Sequence, residues 1–105
     1  MRLPKRVNIC GKIFQIQIDA THDGGSVDFD KFIVEIGTKA PDDVAENLLH
    51  EIGEAITVMR EFRYEKARAE LDSADYRFLL THDDWQLFAK DLSIAMRGIR
   101  FPREQ

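Results

Sequence analysis

The chain has 105 residues, 44% hydrophobic and 32% charged, with a formal net charge of −4. That describes one soluble domain with a single modest core, and it excludes a disordered tail, a collagen-like rod and a disulfide-stapled miniprotein. No apolar run approaches the roughly 20 residues of a membrane span, and the acidic balance argues against a nucleic-acid partner.

Residues 1–10 are basic but lack the apolar centre of a signal peptide, and Cys10 has no second cysteine to pair with. A cytoplasmic, reducing compartment is therefore expected, with Cys10 a small buried residue in a strand. Residues 6–18 alternate through Val7, Ile9, then Ile13 or Phe14, Ile16 and Ile18, which is strand periodicity, with Gly11 a bulge or tight bend where the register shifts. Residues 21–26 form a loop by composition. A second extended run covers residues 27–36, with a turn at Asp30–Lys31 and a β-branched strand through Phe32, Ile33, Val34 and Ile36 that Gly37 closes. The first half is thus expected to be an antiparallel hairpin or a three-stranded meander.

Pro41, Asp42 and Asp43 have the character of a helix start, because proline suits the first helical position and acidic groups suit the positive end of the helix dipole. The spacing of Val44, Leu48, Ile52, Ala55, Met59 and Phe62 predicts a helix from Pro41 to about Phe62 or Arg63 with those residues as its buried stripe. Residues 65–74 are charged and weakly patterned, either a helical extension or a loop, and residues 76–80 suggest a short strand. Thr81 followed by Asp84 resembles a capping box that opens a last helix over residues 83–97, with Trp85, Phe88, Leu92 and Met96 facing inward. Gly98 and Pro102 stop it. Arg97, Arg100 and Arg103 then fall at its end as dipole-facing cations and a solvated tail.

The chemistry-bearing segment lies in the middle helix: Leu48-Leu49-His50-Glu51-Ile52-Gly53-Glu54. At 100° per residue, His50 and Glu54 project about 40° apart on one face, so both can grip one metal ion. Glu51, rotated by about 100°, leans over the rim toward water, as the middle glutamate does in the His-Glu-x-x-His zinc signature. A catalytic zinc site accepts two imidazoles and one carboxylate with an open fourth position. His50 and Glu54 supply one of each, and the second imidazole must come from His22 or His82. His82, between a short strand and the mouth of the last helix, is the better placed, since His22 sits in a glycine-rich loop. The same face carries Glu46, Asn47, Thr57 and Glu61, which also suits an ordinary solvated helix face. Gly53 costs about 1 kcal/mol in a helix interior, so the close approach of another segment or of a substrate is expected there.

A wider string, Gly25-Ser26-Val27-Asp28-Phe29 through Phe32-Ile33-Val34-Glu35-Ile36 and then Leu48-Leu49-His50-Glu51-Ile52, resembles the small zincin-like proteins of phages and prophages. The likeness continues through Arg63-Tyr64 and Phe78-Leu79-Leu80-Thr81-His82 into the last helix and covers about residues 27–95 of a single domain, 1–105. It implies an α+β fold in which a small antiparallel sheet packs on the motif-bearing helix and a C-terminal helix. It implies His50 as a zinc ligand and Glu51 as general base. Many relatives have histidine at the position of Glu54; some phage members have glutamate there and a later histidine after a strand, which matches Glu54 and His82. The activity implied is a zinc-dependent, peptidase-like hydrolysis of a peptide or protein substrate. Arg63, Tyr64 or Tyr76 is then a candidate oxyanion stabiliser, and residues 32–36 a candidate substrate-binding edge strand. The competing expectation is a non-catalytic phage or prophage component of the same fold that binds another protein.

Overall fold

The computed structural model describes residues 3–61, 63–65, 76–78, 80–97 and 99, with the backbone alone described over 63–65 and 76–78. Strands β1 (Arg6–Ile9) and β2 (Lys12–Asp19) form an antiparallel hairpin with Ile9 opposite Lys12. The turn consists of Cys10 at φ 52° and Gly11 at φ 85°. Two consecutive positive φ angles match the right-handed twist of the strands that the turn joins. Of the two expectations for Gly11 the tight bend holds and the bulge does not, since Gly11 is the corner of a hairpin, while Cys10 is a half-buried turn residue and not part of a strand.

Strands β3 (Gly25–Asp28) and β4 (Ile33–Gly37) make a second hairpin. Its turn is organised by Asp28, whose Oδ1 accepts from the amides of Asp30 (2.9 Å) and Lys31 (3.0 Å), while Phe32 takes φ 55°. The two hairpins join through parallel pairing of β2 with β4, so the sheet order is β1-β2-β4-β3 and the sheet is mixed, not antiparallel. β4 is consequently internal, and the exposed edge beside it is β3. The expectation of residues 32–36 as an edge strand is corrected accordingly.

This topology forces residues 20–24 to cross the end of β4. The Gly37 amide donates to the Gly24 carbonyl (2.7 Å) and the Lys39 amide to that of His22 (3.1 Å). A Cβ on Gly37 would lie 2.5 Å from the His22 carbonyl oxygen, so the crossing requires glycine. Within the crossing, Thr21 donates its amide (2.9 Å) and hydroxyl (2.6 Å) to Asp19 Oδ1, and His22 Nδ1 lies 2.7 Å from Asp19 Oδ2. The Thr21 donors, seconded by His22, hold the Asp19 carboxyl down to about 2. Asn47 Nδ2 donates to Asp23 Oδ1 (2.7 Å) and to the Gly37 carbonyl (3.2 Å), tying the crossing to the next helix.

Pro41–Asp43 is a turn of 3-10 helix, and α1 proper spans Val44–Met59. The proline-led start is thus a tight turn feeding the helix. α1 stops where Glu61 adopts φ 57° and donates its amide to the Val58 carbonyl (3.2 Å). The other end of the expected stripe, Phe62, lies outside the described residues. β5 (Arg63–Glu65) and β6 (Tyr76–Phe78) form a separate antiparallel pair; β6 matches part of the expected strand, while residues 66–75 lie outside the described ones.

The capping box holds: the Asp84 amide donates to Thr81 Oγ1 (3.1 Å) and the Thr81 amide to Asp84 Oδ2 (3.0 Å), opening α2 (His82–Ala95). Phe88, Leu92 and Met96 pack on the core as expected, whereas Trp85 is 56% exposed and does not. One face of the sheet (Val7, Ile9, Phe14, Val34, Ile36) meets α1 (Leu48, Ile52, Ala55, Ile56) to make the core. Phe14 anchors it, in edge-to-face contact with Phe29 and Phe32. α2 is fastened to the C-terminal end of α1 by Arg60, whose Nε (2.9 Å) and second guanidinium nitrogen (3.2 Å) grip both oxygens of buried Asp91. Among the described residues no helix is long and apolar enough to cross a membrane.

Candidate metal centre

His50, Glu51 and Glu54 project from the middle of α1. His50 Nε2 and Glu54 Oε2 are 3.4 Å apart, as the i, i+4 spacing requires. One ligand atom from each of the three residues lies within 4.8 Å of the other two, and this is the grouping of potential metal ligands found among the described residues. One imidazole and two carboxylates suit a borderline or hard divalent ion. His82 sits exposed in the first turn of α2 and is not in this group. His22 is held by Asp19 in the crossing loop. Leu80 and Trp85, which flank His82 in sequence, line the same groove as His50 and Glu54.

Glu51 is the unusual member. It is only 6% exposed, while the His50 side chain is 62% exposed. The helix turns it inward, against strand β3, where a Cβ on Gly25 would lie 2.8 Å from Glu51 Cγ and 2.5 Å from the Glu35 carbonyl oxygen. Gly25 is thus the gap into which Glu51 fits. Burial pushes the Glu51 carboxyl above its ordinary value, the charge of Glu54 adds to the push, and His50 opposes it. Among the described residues no hydrogen bond reaches this carboxylate. No polar side-chain atom among them is both sealed from solvent and unpartnered, so the carboxylate opens on the cleft that it lines with Gly25, Ser26, Val27, Phe29 and Glu54, about 200 Å³ in volume. The expected position at the rim is therefore corrected to a buried one.

On the other side of Glu54 lies a wider groove of about 440 Å³, lined by Leu49, His50, Gly53, Thr57, Leu80, Trp85 and Phe88. The triad is a ridge between two hollows, one against the edge strand and one against α2. Nothing in the sequence pattern marks Gly25 as the space for Glu51, or Leu49 and Leu80 as groove walls. The nearest thing to a signal is Leu49, an apolar residue beside His50 on an otherwise polar face. Arg63, Tyr64 and Tyr76 fall on β5 and β6, where side chains are outside the described set. In comparisons with known proteins, no family model, no curated protein and no solved structure matches the chain.

Proposed function

We propose that the protein is a small zincin-like hydrolase that uses one divalent ion, Zn²⁺ first, to cleave a peptide or related amide. The observation that carries this reading is the buried Glu51 carboxylate, without a hydrogen-bond partner among the described residues, beside the His50–Glu54 pair. A buried carboxylate without a partner is costly, and such groups concentrate where proton transfer is required. His50 and Glu54 are the proposed ligands. His82 is the proposed third, since the residues flanking it border the same groove.

When bound, the ion supplies a Lewis acid that polarises the carbonyl and lowers the pKa of a water. Glu51 takes the proton of the attacking water and returns it to the leaving amine, a role favoured by a proton affinity raised above that of an ordinary carboxylate. The outer edge of β3, unpaired among the described residues and next to Glu51, offers main-chain groups to an extended peptide.

The test combines elemental analysis with hydrolysis of a fluorogenic peptide mixture. One zinc per chain is expected, lost in His50→Ala. Glu51→Gln is expected to keep zinc and lose about 10²–10⁴-fold in turnover. Full activity in Glu51→Gln, or loss of zinc from it, overturns the base role. A second reading, a non-catalytic protein-binding component, is favoured by the exposed Trp85, a residue type enriched in interfaces. Absence of any metal uptake or hydrolysis would select it.

A further inference from the structure

We infer that the groove between α1 and α2 receives a large apolar side chain of the substrate, aromatic or branched aliphatic, next to the bond that is cleaved. This rests on the hydrolase reading above and adds the substrate class. Three observations carry it. The groove is continuous with the metal centre, because His50 and Glu54 belong to both. Its remaining side chains are uncharged and mostly apolar: Leu49 and Leu80 are each 36% exposed and Trp85 56% exposed, a local concentration of apolar surface left open to solvent. Trp85 is also held in place, its ring stacked on Phe88 with centroids 5.7 Å apart and planes 15° from parallel.

The third observation is Gly53. It lies in the interior of a 16-residue helix, where glycine costs about 1 kcal/mol relative to alanine. Among the described residues packing does not demand it: a Cβ there would meet only the Phe88 ring, at an ordinary contact distance of 3.7 Å. The position therefore forgoes helix stability without relieving a clash, and what it gains is depth in the groove it lines. This differs from Gly25 and Gly37, where a Cβ would strike backbone at 2.5 Å. An apolar cavity of about 150 Å³ suffices for a benzene ring, so a groove of about 440 Å³ holds an aromatic side chain with room for its own main chain.

Trp85 is the single tryptophan of the chain, so its emission reports on the groove without requiring turnover. The probes are N-acetyl-L-phenylalanine amide, the corresponding leucine, lysine and glycine amides, and peptides differing at that one residue, each used on the zinc-treated and the zinc-free protein. Saturable change in emission is expected with the phenylalanine and leucine probes, at least tenfold tighter than with glycine or lysine. Gly53→Leu should abolish it with zinc content and thermal transition retained, and Gly53→Ala should weaken it partly. Equal binding of the glycine or lysine probe, or unchanged phenylalanine binding in a folded Gly53→Leu, overturns the inference. Binding of phenylalanine with neither zinc uptake nor hydrolysis would leave the groove standing and remove the hydrolase reading. Hydrolysis indifferent to that residue would do the reverse.

Discussion

Two buried carboxylates lie along α1 and face opposite situations. Asp91, 5% exposed, reaches the C-terminal end of the helix from α2 and is gripped on both oxygens by Arg60, with the Cys10 thiol 3.5 Å away. Glu51, 6% exposed, sits in the middle of the helix with no hydrogen bond among the described residues. Burial is the same; partnership is not. A paired buried charge joins two helices and the β1–β2 turn, and it is accounted for by architecture alone. The one left unpaired among the described residues adds nothing to the fold that an apolar residue would not add better, and this is why the proposed chemistry is placed in the middle of α1 and not at its end. Cys10 belongs to the structural side of this contrast: burial, and then the Asp91 charge, push its thiol up, away from the reactive thiolate.

The contrast is open to direct attack. Asp91→Ala should have the largest effect. Removing one partner of a buried pair costs roughly 3–5 kcal/mol, but the Arg60 side chain is 36% exposed and can turn to water, so a loss of about 2 kcal/mol is expected in urea unfolding with an unchanged denaturant slope. Gly25→Ala comes next. Its methyl group would collide with the Glu35 carbonyl and with Glu51, so a loss of about 1 to 2 kcal/mol is expected from overpacking, accompanied by displacement of Glu51 and impaired turnover.

Glu51→Gln should be the smallest and of opposite sign. The folded metal-free chain holds the Glu51 proton more tightly than the unfolded chain does, so its stability falls as pH rises through the raised value. At pH 7 the amide removes that penalty, and the variant should gain about 1 kcal/mol. Well below 4.5, the ordinary value of the carboxyl, both states are protonated and the gain should vanish. Thermal melts at pH 7 and pH 3.5 decide it; a variant less stable at pH 7 than the parent would mean that Glu51 has a structural partner after all.

Much of this arrangement was legible because it is local. The capping box at Thr81 and Asp84, the turn at Asp30–Lys31 and the i, i+4 placement of His50 and Glu54 follow from residues a few positions apart. What escaped was decided by pairing between distant segments. Alternation in residues 6–18 is the same for one bent strand or for two strands of a hairpin, and only the consecutive positive φ at Cys10 and Gly11 separates them. The parallel register of β2 on β4 has no signature in either strand, since Ile16 and Val34, or Ile18 and Ile36, would also suit an antiparallel neighbour. Likewise, the helical wheel placed Glu51 between the polar face and the apolar stripe; the choice was made by β3, whose Gly25 left the space.

The three residues of the candidate centre lie within five consecutive positions of one helix. A peptide copy of α1, were it helical, would bring the same donors equally near to one another. Gathering these three donors is thus not what the remainder of the chain contributes, although only the remainder can bring in His82, the third ligand proposed. At these three positions its contribution is dehydration: the sheet withdraws one carboxylate from water and leaves its neighbours wetter, so the tertiary structure acts here as a regulator of basicity.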